Sequence, residues 1–191
     1  MADFLNAVFG TADMAVFRFL GSLQCPLLTS FFKVVTLLGD VRTVVCVSAV
    51  AIALLLSEKT RKVGFCILLS LILSTFMTNV LLKPLVSRPR PYIFYENNAQ
   101  FMKLFMNIGS MKEKGFSFPS GHTTATFSYC TAMFLMLGKK YRISWILPFI
   151  AVLVMVSRVY LMVHFASDVI AGMMTGIMCA CISKRCVNHC N

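Results

Sequence analysis

Lys83, Arg90, Arg158, His122 and His164, with Arg88 close by, sit in apolar surroundings that do not suit charge, and one carboxylate, Asp168, follows His164 by four residues. Ionisable side chains at membrane depth are costly and are usually functional. Many cations with a single carboxylate call for an anion, and the neighbouring residues point to phosphate. Phe118-Pro119-Ser120-Gly121-His122 reads as a loop ending in an N-cap Ser that opens a helix. Gly121 lets the backbone approach closely, and the free amides of the helix start face a bound oxyanion. Arg90 lies in Arg88-Pro89-Arg90-Pro91, an extended segment stiffened because both prolines fix φ. Arg158 adds a forked pair of donors and Lys83 a point charge. An outer anchor to lipid headgroups explains Arg88 equally well, and Tyr92 and Tyr95 read as interfacial anchors.

Two histidines in one anion site suggest a nucleophile and an acid. The Asp168 carboxylate can accept from one ring nitrogen of His164, fixing the tautomer and exposing the lone pair of the other. His122, beside bound phosphate, can give a proton to the leaving oxygen. The cations then stabilise the equatorial charge of a phosphoryl-transfer transition state. Asp168 stands alone as a carboxylate in this reading, so no ligand pair for Mg²⁺ is expected: no metal and no cofactor.

These residues are far apart in sequence, so helices must gather them. Of 191 residues, 58% are hydrophobic and only 13% charged, and the mean hydropathy is +0.80. Soluble domains carry about 25% charge, which excludes a cytosolic globular chain, and 17 Phe exclude disorder. What remains is one membrane-embedded domain over residues 1–191, an all-α polytopic bundle. The segments Val41–Ser57, Val63–Leu82, Ser120–Leu137, Ile143–Val163 and Phe165–Ser183 are each about 17–21 residues, enough to cross a core of about 30 Å. Residues 4–20 place Phe4, Leu5, Val8, Phe9, Ala12, Val16, Phe19 and Leu20 on one stripe, as in an interfacial helix or half of a broken crossing. Whether residues 1–38 cross fully is open. Pro84 is expected to stop the second crossing at Lys83. The long connection 84–118 reads as a lid over the site.

Short basic connections set the orientation. Lys59, Arg61, Lys62, Lys139, Lys140, Arg142, Lys184 and Arg185 fall on one side, which the positive-inside rule makes cytoplasmic. The 84–118 loop and the turn at His164 then face outward, and the C-terminus inward. The excess of 18 Lys and Arg over 7 Asp and Glu divides between topology and the anion site, so no nucleic-acid partner is expected. Met1 to Leu20 carries Asp3 and Asp13 and lacks a basic start, unlike a cleavable signal peptide. Cys179, Cys181, Cys186, His189 and Cys190 imitate a metal cluster, but packing and a reduced tail explain them, because zinc spacings do not match.

Lys83-x6-Arg90-Pro91, then Pro119-Ser120-Gly121-His122, then Ser157-Arg158-x5-His164-x3-Asp168 together resemble the three-part motif of the type 2 phosphatidic acid phosphatase (PAP2) superfamily. The likeness spans roughly residues 60–185 and no motif position departs from the pattern. It implies a bundle of about six membrane helices and a metal-independent phosphatase. It also implies Lys83, Arg90, Ser120, Gly121 and Arg158 as phosphate binders, His164 as nucleophile, Asp168 as its orienter and His122 as the acid. In length the chain is similar to small bacterial members acting on undecaprenyl diphosphate, phosphatidylglycerol phosphate or phosphatidate. An outward site ranks undecaprenyl diphosphate first. A phosphotransferase using the same phosphohistidine, or a non-catalytic lipid-phosphate binder or translocator, stays open. The expected partners are the lipid substrate and membrane lipids, with no protein partner required.

Overall fold

The computed structural model describes residues 1–138 and 141–189, and Lys139, Lys140 and Cys190, counted above in the basic clusters and the tail, lie outside them. All regular structure among the described residues is helical. Helix α1 covers Ala2–Ser22 and turns Phe4, Val8, Phe9 and Phe19 outward while burying Asp13 and Phe17. An outward apolar stripe with a carboxylate buried beneath it inverts a water-soluble helix and suits contact with lipid.

Helix α2, Pro26–Val35, starts with Pro26 in the first turn, where its missing N–H costs nothing. It tightens into a 3₁₀ turn, Thr36–Gly39, and Asp40 then caps α3, Val41–Leu55, by accepting from the Val41 N–H at 2.7 Å. The two pieces, bent by 43°, are together long and apolar enough to cross a membrane. The broken element is therefore α2 with α3, and α1 stands apart from it.

Helix α4, Arg61–Thr75, runs on through a π-helical stretch, Phe76–Leu82, into a last turn α5, Lys83–Val86. Pro84 does not end the helix as expected. The wider π turn before it relaxes the clash between the proline ring and the preceding carbonyl. The chain leaves the helix at Ser87, in the left-handed region with φ 50°.

The 84–118 connection is folded. It holds α6, Pro91–Phe94, and α7, Ala99–Asn107, whose buried Phe101 and Phe105 pack toward Phe17 and Tyr92. Helices α8, Gly121–Leu137, α9, Ile146–Tyr160, and α10, Ala166–His189, complete the bundle, with α8 packed against α4, α9 and α10. Arg61–Phe94, Arg142–Tyr160 and Ala166–His189 are each long and apolar enough to span a bilayer. Gly172 and Gly176 on α10 meet α8 closely: a Cβ at Gly176 would fall 2.6 Å from the Thr124 carbonyl oxygen, and one at Gly172 2.9 Å from that of Ser120. Small residues let two membrane helices touch backbone to backbone. Here the contact seats the start of α8 on the start of α10, where the Ser120 N–H donates to the Asp168 carbonyl at 3.1 Å.

Candidate active site

Helix α9 ends in a buried turn, residues 161–165, with Met162 at φ 54°. A non-glycine residue in that region costs of order 1 kcal/mol and persists only where packing holds it. Met162 is 1% exposed, and the strained turn aims the Val163 carbonyl and the His164 ring at Arg90. Arg90 Nη1 lies 3.1 Å from His164 Nε2. A guanidinium has donors only, so Nε2 must present its lone pair and Nδ1 carries the ring proton. Nδ1 faces Ser117 Oγ at 3.4 Å and Asp168 Oδ2 at 3.6 Å. Asp168 thus faces the ring from just beyond hydrogen-bond distance. Its Oδ2 accepts from the Ser117 hydroxyl and, at 3.0 Å, from the Phe165 N–H.

Arg90 and Arg158, which lie 68 positions apart in sequence, converge on one carboxylate that the sequence reading did not single out. Glu113 pairs with Arg158 Nη2 through Oε1 and with Arg90 Nη1 through Oε2 at 2.9 Å, and its Oε2 is 4.0 Å from His164 Nε2. Arg158 also donates to Thr36 Oγ1 at 2.5 Å, while its buried Nε has no hydrogen-bond partner among the described residues. Arg90 reaches the loop carbonyls of Gly115, at 3.1 Å, and Lys114, at 3.0 Å. Tyr92 holds the Glu113 backbone from both sides: its hydroxyl donates to the carbonyl at 2.7 Å and accepts from the N–H at 3.1 Å. Tyr92 is therefore a buried loop clamp, not an interfacial anchor.

A cavity of about 500 Å³ opens beside this cluster, lined among others by Lys83, Arg90, Glu113, Gly121, His122 and His164. A Cβ on Gly121 would be 3.6 Å from Lys83 Nζ, so the glycine leaves room between that amine and the start of α8. Ser120 sits one step back. It is fully buried, and its hydroxyl caps α8 by accepting from Thr123 Oγ1 at 3.0 Å and the Thr123 N–H at 3.5 Å. Five of the eight expected residues thus line the cavity, and Arg158, Asp168 and Ser120 stand directly behind it.

For Arg88 the structure decides between the two readings that the sequence left open. Arg88 is not a lipid anchor: it is wholly buried, stacks 3.7 Å over the Phe165 ring, and donates to Asp168 Oδ1 at 2.7 Å and to Asp13 Oδ2 at 2.9 Å. Asp168 is therefore not alone, since Asp13 from α1 and Glu113 from the loop join the cluster. Position alone offered no signal for either. Asp13 is one of several polar residues scattered along an apolar helix, and Glu113 sits between two lysines in Lys112-Glu113-Lys114.

The electrostatics favour a neutral His164. Burial pushes the His164 imidazole well below its usual range, the Arg90 and Arg158 cations push it further, and Glu113 acts the other way. Burial alone would raise Glu113, but Arg158, His122 and His164 outweigh it and hold the carboxyl at about 2. At neutral pH the site therefore contains an unprotonated His164 facing two arginines joined by a carboxylate.

A phosphate oxyanion fits where that carboxylate lies, and similar proteins carry names of that chemistry. The chain is 26% identical to a lipid A 4'-phosphatase of Porphyromonas gingivalis, over 85% of this chain and 67% of that one. It is 33% identical to an undecaprenyl-diphosphatase of Sulfolobus acidocaldarius, over 64% and 54% of the two chains. It spans between about half and two thirds of the length of these curated relatives. The fold superposes on a transmembrane PAP2-type phosphatidylglycerolphosphate phosphatase from Bacillus subtilis, with a TM-score of 0.79 and 26% identity, covering 100% of this chain and 92% of that one. It also superposes on Aquifex aeolicus LpxE, with a TM-score of 0.71 and 30% identity over 90% and 94%. The PAP2 superfamily model matches residues 63–191, which hold all eight motif residues as well as Glu113 and Arg88, and the chain belongs to that superfamily of membrane phosphatases.

Proposed function

We propose that this chain hydrolyses a lipid phosphate or diphosphate through a phosphohistidine on His164. The observation that carries the reading is the 3.1 Å approach of Arg90 Nη1 to His164 Nε2, which marks Nε2 as the unprotonated nitrogen and holds its one lone pair beside an arginine-lined position, free to attack once phosphate takes over that N–H. The substrate phosphoryl group takes the place of the Glu113 carboxylate between Arg90 and Arg158, with Lys83 and the amides at Gly121 and His122 on its other side. Nε2 attacks phosphorus, the N–P bond forms as the P–O bond to the lipid breaks, and His122 protonates the departing oxygen. Asp168 balances the charge that develops on the ring. Water, deprotonated by His122, then cleaves the N–P bond and releases phosphate.

The reading is metal-independent. Glu113 is already paired with Arg90 and Arg158, and Asp13 and Asp168 with Arg88, while Asp40 at the cavity's edge accepts from the Val41 N–H that it caps. A divalent ion would have to displace those partners. For substrate we rank undecaprenyl diphosphate first, ahead of phosphatidylglycerol phosphate, phosphatidate and lipid A, because the basic connections, read by the positive-inside rule, favour an 84–118 segment outside the cytoplasm. The test is phosphate release by detergent-purified protein from that panel in excess EDTA. Release without added metal, fastest on the diphosphate, is expected. Loss on chelation with recovery in Mg²⁺ overturns metal independence, a different preferred lipid overturns the ranking, and lipid binding without phosphate release overturns catalysis.

A further inference from the structure

We propose that Asp13 of α1, acting through Arg88 and Ser167, is a positioning residue for the catalytic Asp168–His164 pair. This rests on the phosphohistidine reading above. Asp13 lies outside residues 63–191 matched by the superfamily model, on a helix that otherwise presents Phe4, Val8, Phe9 and Phe19 outward. Its carboxylate is 1% exposed and points into the bundle.

Every polar contact of that carboxylate leads to the start of α10. Oδ1 accepts from the Ser167 N–H at 2.9 Å, and Oδ2 accepts from the Ser167 hydroxyl at 2.8 Å and from Arg88 Nη2 at 2.9 Å. The first N–H groups of a helix have no partner within it, so a carboxylate from another helix does the work of a cap and fixes where α10 begins. The next residue is Asp168. Arg88 completes the link: Nη1 donates to Ser167 Oγ and to Asp168 Oδ1, both at 2.7 Å, and Nε donates to Asn6 Oδ1 at 2.8 Å. Two side chains of α1, Asn6 and Asp13, thus hold the guanidinium that holds Asp168.

Charge makes the arrangement more than a brace. Arg88 alone against Asp168 would cancel the negative charge that His164 needs as it becomes a cationic phosphohistidine. With Asp13 present, two carboxylates share one guanidinium, and a net negative charge remains behind the ring. All three residues are at most 1% exposed, so water screens little of this.

The isosteric Asp13→Asn change keeps the shape and removes the charge. In the detergent-purified full chain it is expected to lower kcat on lipid phosphate about tenfold and leave KM within about twofold, one tenfold step being about 1.4 kcal/mol at the barrier. Vanadate inhibition should be unchanged, since Arg90 and Arg158 do not touch Asp13. Asp13→Glu should recover part of the rate. In an Asp168→Asn background Asp13→Asn should cost little more, because the two act as one unit. Phe17→Ala, which loosens α1 through its packing on Phe101 and Phe165 but removes no charge or hydrogen bond from the network, controls for docking. A wild-type kcat in Asp13→Asn, a full additive loss in the Asp168→Asn background, or the same kinetic signature from Phe17→Ala overturns the proposal. If His164→Ala itself stays active, the phosphohistidine reading fails first. If His164→Ala is dead and Asp13→Asn is fully active, only the positioning role falls.

Discussion

Glu113 Oε2 lies 2.9 Å from Arg90 Nη1, so a carboxylate of the chain itself occupies the position that the proposed mechanism gives to a phosphate oxygen. With its other oxygen on Arg158, Glu113 competes with any incoming oxyanion. Glu113→Gln removes the competing charge and keeps the shape. The inhibition constants of inorganic phosphate and vanadate should fall about five- to tenfold, roughly 1–1.4 kcal/mol, and KM should fall with them. Unchanged or weaker inhibition would mean that Glu113 helps to hold substrate instead of making way for it.

His164 and His122 should separate by leaving group. An aryl phosphate needs little protonation of its departing oxygen, so His122→Ala should regain part of its activity on that substrate, while His164→Ala should stay inactive on both. Rapid quench should trap an acid-labile phosphoenzyme in the wild type that is missing in His164→Ala. Near wild-type aryl hydrolysis by His164→Ala would place the nucleophile elsewhere.

The pH dependence follows from His164. Burial and the flanking arginines lower its pKa well below 6.5, so the unprotonated nucleophile survives acidification that would protonate an ordinary histidine. kcat/KM should stay flat as pH falls through 6.5 and decline only below it. Stability has the same sign. The unfolded chain takes up a proton near 6.5 and the folded chain only lower, so stability falls as pH drops below 6.5. Glu113, held at about 2, adds stability that is present above its ordinary carboxylate range and is lost as pH falls toward 2. A kcat/KM midpoint at or above 6.5 contradicts this charge pattern.

Gly176→Ala tests the helix contact that seats the site. The added Cβ would meet the Thr124 carbonyl oxygen at 2.6 Å and Phe127 Cβ at 2.8 Å, and a backbone carbonyl cannot swing aside like a side-chain tip. Overpacking of this kind costs about 1–3 kcal/mol. The thermal midpoint and kcat should both drop as α8 moves off α10. A variant with wild-type stability would show that the two helices can part without cost.

Sidedness can be read chemically. Asn97 is exposed in the segment between α6 and α7, whereas its neighbour Asn98 caps α7 by accepting from the Phe101 N–H at 3.0 Å. Asn97→Cys, in a background without the native cysteines, should react with an impermeant thiol reagent in intact cells. Labelling only after permeabilisation would invert the orientation and favour cytoplasmic lipids as substrates.

Much of this protein was legible in the sequence because membranes impose simple rules. A bilayer demands long apolar helices, so charge inside them stands out, and Lys83, Arg90, His122, Arg158, His164 and Asp168 could be picked out by contrast alone. The N-cap at Ser120 was readable for a similar reason, being a local pattern. What only the tertiary structure decided is who pairs with whom. The sequence left Arg88 open between the cationic cluster and a lipid-headgroup anchor, and burial made it the ion-pair partner of Asp13, 75 positions away. Glu113 and Tyr92 belong to a connection whose path no periodicity describes, yet they close the anion site. Pro84 carried a stop signal that a π-helical turn overrode. Local propensity and hydrophobic period act over a few residues. Pairing of buried charges is set by the close packing of distant helices, here by Gly172 and Gly176 bringing the starts of α8 and α10 together, and no spacing within the chain encodes it.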